Sequence, residues 1–378
     1  MSEEFPHFRP VWGEVDLAAL RDNTRALVVF AAPASVLAVV KADAYGHGAV
    51  PAARAALEGG AAWLGVALVE EGLRLREAGI TAPVLVLSEP PAAAADAVVE
   101  RDLTPVVYTS AGIDALGAAV ARCAPRRRLR VHLKVDTGMH RVGCAPSDAV
   151  ALAEKIASHA ELDFEGVCTH LAVADEPEHD YTAAQLAAFD AVLAELGDRG
   201  LRPPIVHAAN SAGLLAQPAA ARYDLVRLGI ALYGVPPAPA LADRVVLQPV
   251  LALKARVSHV KELPAGARLS YGLRYELSRP SVVATVPAGY ADGVPRNLGL
   301  AGGEVLVRGR RRPIAGSVTM DQLMVDAGDG PVDVGDEVVL LGRQGDEEIT
   351  ASEWATRLGT IAYEIVSGIG PRVPRRYV

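Results

Sequence analysis

From residue 36 onward, apolar positions gather in short runs set apart by longer Ala-, Leu- and Glu-rich stretches. The runs are Val36 to Lys41, Leu64 to Ala67, Val84 to Ser88, Pro105 to Tyr108, Arg130 to Asp136, Glu165 to Thr169, Pro204 to Ala208 and Leu225 to Gly229. Stretches of helical length lie between them, such as Ala49 to Glu58, Pro91 to Glu100 and Thr182 to Leu196. Strand alternating with helix predicts a parallel sheet with right-handed crossovers. Eight such units are the number that closes a (β/α)8 barrel. Helix starts are marked by Asp16 before Leu17, Ser110 before Ala111, and Pro146-Ser147 before an Ala-rich run.

After about residue 240 the rhythm changes. Pro236-Pro-Ala-Pro239 marks a boundary, giving an N-terminal TIM-like barrel over 1–240 and a mainly-β domain over 241–378. That second part has Val- and Arg-rich strands, Pro-Ala-Gly, Asp-Gly and Gly-Asp turns, and one clear helix expected at Thr350 to Leu358. Val11-Trp-Gly-Glu-Val15 is strand-like, precedes the barrel, and is available to pair with the second domain.

Composition narrows the class. The chain is 51% hydrophobic but only 5% aromatic, so its core is Ala, Val and Leu, which suits helices packed closely on strands. A net charge of −8 argues against nucleic acid as a partner. The basic runs Arg126-Arg-Arg128 and Arg308 to Arg312 read as solvated loops or dimer contacts. Cys123, Cys144 and Cys168 show neither a disulfide framework nor a zinc spacing, so no metal is expected. Met1 to Pro10 is acidic without an apolar signal core, and no long uncharged apolar stretch appears. A soluble, cytoplasmic protein without a membrane partner is the expectation.

Candidate chemistry collects where the apolar runs end. Barrel enzymes work at the carboxyl ends of their strands. Those positions hold Lys41, Asp136-Thr-Gly-Met-His-Arg141, His170, Asn210-Ser211 and Arg227-Leu-Gly-Ile230. Lys41 ends its run abruptly: taken alone it is either a strand cap snorkelling to solvent or a desolvated amine able to condense with an aldehyde. Ser211 opening a helix can receive a phosphate, and Gly229 permits close backbone approach.

With these stretches in hand, the chain resembles the alanine racemases, pyridoxal-phosphate enzymes, along essentially its whole length. The matching motifs are Val40-Lys-Ala-Asp-Ala-Tyr-Gly-His-Gly48, His132-Leu-Lys-Val-Asp-Thr-Gly-Met-His-Arg141, His207-Ala-Ala-Asn-Ser211 and Val226-Arg-Leu-Gly-Ile-Ala-Leu-Tyr-Gly234. Further along come Leu269-Ser-Tyr-Gly272, Gly289-Tyr-Ala-Asp-Gly293, Thr319-Met-Asp-Gln322 and Thr360-Ile-Ala-Tyr-Glu364.

The resemblance implies interconversion of L- and D-alanine by two bases, Lys41 as the Schiff-base lysine and Tyr271 facing it, with D-alanine destined for peptidoglycan. It implies Arg227 opposite the pyridine nitrogen, where a residue that cannot accept the proton keeps the ring a weak electron sink. His170 is expected to bond Arg227 and to link it toward Tyr271, whose unperturbed pKa of about 10 would have to fall for work as a base. Tyr45, Asn210, Ser211, Gly229, Ile230 and Tyr363 are implied in cofactor binding, most of them around the phosphate. Arg141 and the Met320 backbone are implied at the substrate carboxylate. Lys134 is read as a mid-strand, barrel-facing lysine that carries a carbamate. Position 319 is Thr where many relatives have Cys. A homodimer is implied, with each site built from the lysine of one chain and the tyrosine of the other. Two rivals share part of this pattern: a pyridoxal-phosphate decarboxylase of basic amino acids, which would want an acidic partner for the ring nitrogen, and a non-catalytic pyridoxal-phosphate carrier, which would need the barrel alone.

Overall fold

The structure is a computed structural model that describes residues 8–217 and 219–378, so most of the acidic N-terminal stretch, residues 1–7, lies outside the described residues. The chain divides into two compact units: Ala19–Ala44 with Ala49–Gln248, and residues 8–18 with Tyr45–Gly48 and Pro249–Val378.

The second of these is mainly β. Strand β1 (Val11–Val15) pairs antiparallel with Leu251–Arg256 and parallel with Arg375–Tyr377. The sheet continues from Leu251–Arg256 through Glu337–Gln344 and Glu304–Val307 to Arg310–Pro313. An antiparallel sheet of His259–Leu263, Ser281–Val286 and Leu323–Gly328 lies in the same unit. Two helices occur where one was expected. Ala351–Leu358 starts on Thr350, whose hydroxyl accepts the Glu353 amide at 3.0 Å, and stops at Gly359 in the left-handed region. Ala362–Ser367 has no side-chain cap and only six residues, too few to show a helical period.

The other unit is the barrel. Its strands are β2 (Ser35–Val39), β3 (Trp63–Val66), β4 (Val84–Val86), β5 (Thr104–Val107), β6 (Leu129–Lys134), β7 (Leu162–Cys168), β8 (Ile205–His207) and β9 (Leu225–Leu228). Every laddered pair is parallel, in the order β8-β7-β6-β5-β4-β3-β2-β9. β8 and β9 share no ladder. Single bonds span that gap, from Asp224 N to Val206 O at 3.0 Å and from Arg227 N to Ala209 O at 2.9 Å. Strand residues such as Leu37, Leu64, Leu85, Val106, Val131 and Val167 are buried, each stabilising the fold by about 1.5–3 kcal/mol through apolar burial. No helix among the described residues is long and apolar enough to cross a membrane.

Three local expectations need correction. β2 ends at Val39, so Lys41 does not cap the strand but opens the turn Lys41–Gly46. Lys134 is the last residue of β6, not a mid-strand residue. The helix Ser110–Cys123 is capped by Thr109, whose hydroxyl accepts the Gly112 amide at 2.9 Å, one residue earlier than expected. An apolar run shows only where a strand lies; its ends are decided by hydrogen bonds the sequence does not display.

Candidate active site

Lys41 is followed by a left-handed turn. Ala42, Asp43, Ala44 and Tyr45 all have φ between 51 and 55°, and Gly46 follows at 81°. Four non-glycine residues in this region cost roughly 1–2 kcal/mol each, so surrounding bonds must hold them. Ala44 N bonds Val40 O at 2.9 Å, Asp43 accepts the Ala49 amide at 2.8 Å, and Glu71 accepts the Ala42 amide at 2.6 Å. The other Glu71 oxygen takes the amides of Ala67 and Leu68 at 2.8 and 3.1 Å. Glu71 thereby ties the end of β3 to the backbone directly after Lys41. The Lys41 amine has its pKa lowered, first by burial and then by the Arg141 charge, with Glu71 pulling the other way. A larger neutral fraction follows, which a nucleophile or base requires.

Arg227 on β9 is 6% exposed, and its guanidinium meets four acceptors. Nη1 donates to His207 Nδ1 at 2.8 Å, and Nη2 donates to Thr169 O at 2.8 Å, Ala208 O at 2.8 Å and His170 Nδ1 at 3.1 Å. The expected His170–Arg227 contact is present. Nε–H has no acceptor among the described residues, which leaves a fixed donor available to a ligand atom that can only accept. Burial drives the His170 pKa well below its ordinary value and Arg227 lowers it further, so this ring stays neutral.

Asn210 caps the short helix Ser211–Ala216 by accepting the Gly213 amide at 2.8 Å. Ser211 Oγ accepts the amides of Gly229 at 3.0 Å and Ala231 at 3.5 Å, so its hydroxyl hydrogen is left to donate elsewhere. Gly229 has φ −115° and ψ −97°, outside the common basins, and Ile230 opens the turn Ile230–Tyr233, where its amide has no partner within the turn. The Ile230 N–H, unpaired within its turn, and the Ser211 hydroxyl, brought together by the Gly229 backbone, form an anion cradle.

Lys134 is buried, and burial lowers its pKa; Cys168 and Asp136 oppose this, while Arg227 and Arg141 add to it. Arg141 is exposed at the end of a loop that Asp136 shapes by accepting the Gly138 and His140 amides, both at 3.0 Å.

The remaining candidates belong to the mainly-β unit. Tyr45 and Tyr363 have ring centroids 6.2 Å apart, and burial pushes the Tyr45 hydroxyl up to about 12, so it acts as a donor. Tyr271 is 71% exposed in the turn Tyr271–Leu273, which is pinned by Ser270 Oγ donating to Ser317 O at 2.5 Å. Met320 is 53% exposed, and its amide donates to no described residue. Its carbonyl accepts Ala291 N at 3.0 Å against Gly289, where a Cβ would stand 2.2 Å from that oxygen, so only glycine fits. Thr319 Oγ1 donates to Gln322 O at 2.7 Å.

Glu71, Glu165, His132 and His207 received no role from the sequence. Both histidines lie inside the matching motifs, and the contacts that join them to Arg227 arise only in the folded barrel.

The comparisons with known proteins agree along the chain. The alanine racemase N-terminal domain matches residues 15–237, and the alanine racemase C-terminal domain matches 250–377. An alanine racemase of Symbiobacterium thermophilum is 53% identical over 98% of this chain and 97% of its own length. The structure of alanine racemase from D-cycloserine-producing Streptomyces lavendulae superimposes with a TM-score of 0.92 at 43% identity, covering 99% of this chain and 98% of that one. A histidine racemase from Leuconostoc mesenteroides subsp. sake is also similar, with a TM-score of 0.90 at 31% identity and 99% of both chains covered.

Proposed function

The chain belongs to the alanine racemase family of isomerases, and from that premise we propose that it interconverts L- and D-alanine with pyridoxal 5′-phosphate, as a cytoplasmic source of D-alanine for peptidoglycan. The observation that carries the reading is the pairing of a neutral-leaning lysine, Lys41, with a buried arginine, Arg227, whose Nε–H is unclaimed.

The residues present fit the cofactor. Lys41 would hold its aldehyde carbon, Arg227 Nε its ring nitrogen, and Ser211, Gly229 and Ile230 its phosphate, with Asn210 shaping that cradle and Tyr45 and Tyr363 adding hydroxyl donors. When bound, the cofactor supplies the electron withdrawal that makes the substrate α-proton removable. The chain supplies the rest. Lys41 Nζ moves a proton on one face of the substrate carbon and Tyr271 Oη moves one on the other, the minimum for inversion without a group swinging around the substrate. Arg227 cannot take a proton, so it keeps the ring nitrogen unprotonated and restrains side reactions. Arg141 and the Met320 amide would hold the substrate carboxylate.

Lys134, as a neutral amine, would add carbon dioxide with loss of one proton, becoming a carbamate that orients Arg141 instead of repelling it. A mass gain of one carbon dioxide on the Lys134 peptide tests this.

The partner of each chain would be a second copy, contributing Tyr271 and Met320 to the site of the first. Their exposure supports this, as does the exposure of Leu273 beside Tyr271. A decarboxylase reading is disfavoured because Arg227 stands where an acid would be needed. A carrier reading is disfavoured by the similarity of residues 250–377 to the family's own C-terminal domain. Assaying D-alanine formation and carbon dioxide release from a panel including alanine, serine, histidine and lysine tests the whole reading: alanine racemisation without carbon dioxide is expected, and carbon dioxide release or preference for another amino acid would refute it.

A further inference from the structure

Behind Arg227 runs a line of buried polar groups that the reaction does not touch. His207 Nε2 lies 2.8 Å from His132 Nδ1, and His132 Nε2 lies 3.2 Å from Glu165 Oε2. Both rings are completely buried. The sheet builds this line by register: on β6 and β7, His132 sits opposite Gly166, and on β7 and β8, Cys168 sits opposite His207. A Cβ on Gly166 would stand 2.5 Å from the His132 ring, so the glycine makes the room the imidazole occupies. Trp63 meets the other side of that ring, with centroids 5.7 Å apart.

The hydrogen atoms in this line have one possible order. A guanidinium donates and never accepts, so His207 Nδ1 must be an acceptor and the ring proton must sit on Nε2. That proton faces His132 Nδ1, which must therefore accept, putting the His132 proton on Nε2 toward the Glu165 carboxylate. His170 Nδ1 also accepts from Arg227, so its proton sits on Nε2 as well. No carboxylate touches Arg227 among the described residues; the one joined to it is Glu165, at the far end of the two rings.

We propose that His207, His132 and Glu165 are positioning residues for Arg227, forming a one-way hydrogen-bond chain that fixes the guanidinium's rotation and delivers a distant counter-charge to it. A direct carboxylate would bind the guanidinium bidentately and draw its donors away from a ligand. Two imidazoles in series spread that charge while leaving Nε–H free. The chain also blocks proton delivery: each imidazole in it is already committed as an acceptor toward Arg227 and a donor away from it, and the Glu165 carboxylate at its end only accepts. The charged or titratable groups facing it are Arg227, Lys134 and Cys168 near the rings, and Arg130, 3.9 Å from Glu165. Burial is the main reason both rings resist protonation, with Arg227 adding to it. What Arg227 faces rests on the pyridoxal-phosphate reading, whereas the order of hydrogens does not.

The test is therefore made first on the purified full-length chain by ¹⁵N NMR with labelled histidine, before any activity is read. Loss of the corresponding signals in His132→Gln and His207→Gln assigns the rings. Neutral Nε2–H forms of both, unchanged between pH 8 and about pH 6 around the ordinary histidine value, are expected. An Nδ1–H form or a protonated ring at either position overturns the proposal, whatever the racemisation assay shows. The second arm separates function from packing. Glutamine at 132 can accept from His207 and donate to Glu165, so His132→Gln should keep kcat within about threefold, while His132→Phe should lower kcat about 10–100-fold with little change in KM. Equal damage from both, or none from either, contradicts the proposal. Should His132→Phe not fold, the tautomer measurement alone decides.

Discussion

Lys41 and Arg227 in the barrel are held by committed contacts, whereas Tyr271 and the Met320 amide in the mainly-β unit are open. Arg227 is buried with its Nη atoms bonded to two histidines and two carbonyls, and Lys41 is held by a turn tied to Glu71. Tyr271, by contrast, stands exposed on a short turn, and the Met320 amide donates to nothing described. Under the proposed function, the difference follows from what each group would do. A lysine that has to shed its proton near neutral pH must be desolvated, and desolvation is tolerable only where the neighbouring polar atoms are satisfied. On the proposed reading, a tyrosine and an amide that serve another chain's substrate would have to remain open until that chain arrives, and their precision would come from rigid backbone: the Ser270–Ser317 bond and the close approach at Gly289.

The sharpest way to break this contrast is to remove the proposed nucleophile. Lys41→Ala should lower racemisation by about 10⁴-fold or more, and borohydride reduction of the wild-type protein should leave the cofactor attached at Lys41. A label on another lysine would reassign the site. Removing the proposed second base should be milder and one-sided. Tyr271→Phe should lower α-proton exchange from L-alanine by about 10²–10⁴-fold and spare exchange from D-alanine, read by deuterium incorporation. Equal loss from both enantiomers contradicts the face assignment. Glu71→Ala, which frees the backbone after Lys41 without touching substrate, should cost about 10–100-fold in kcat.

Much of this layout was legible in the chain. The eight apolar runs announced the barrel because parallel strands buried on both faces cannot hide their composition, and Lys41, Arg227 and Ser211 stood out as polar residues at or just beyond the carboxyl ends of those runs. The Ala42–Tyr45 turn did not show, since Ala-Asp-Ala-Tyr carries no glycine and its left-handed form is held in part by Glu71, 29 residues from Ala42. The His207–His132–Glu165 line was hidden for a related reason. Its members lie on three different strands, and only the register of β6, β7 and β8 aligns them.

Acid should weaken the barrel before its chemistry is tested. The folded-state pKa values of His132, His170 and His207 are lowered, so the unfolded chain takes up protons that the folded one refuses. Stability is therefore kept above about pH 6.5 and falls as the pH drops through that value, by up to about 1.4 kcal/mol per pH unit for each ring. Urea midpoints at pH 7.5 and pH 5.5, with hydrogen exchange locating the loss, check this. The smallest expected effect is that of thiol reagents. Burial is the first cause of a raised pKa at Cys123, Cys144 and Cys168, with Cys144 pushed up to about 12, and Thr319 offers no thiol beside Met320. Iodoacetamide at pH 7 should leave activity within about twofold of the untreated value.

The central claim is that committed and waiting halves from different chains make one site, and mixing two inactive proteins tests it directly. Lys41→Ala and Tyr271→Ala are combined and allowed to exchange subunits, with heterodimers counted by mass spectrometry. In a heterodimer one site carries both defects and the other neither, so about a quarter of wild-type activity should return at statistical exchange. Confirmed heterodimers without activity would mean that each site is completed within a single chain, and the account of Tyr271 and Met320 as groups waiting for a partner would be wrong.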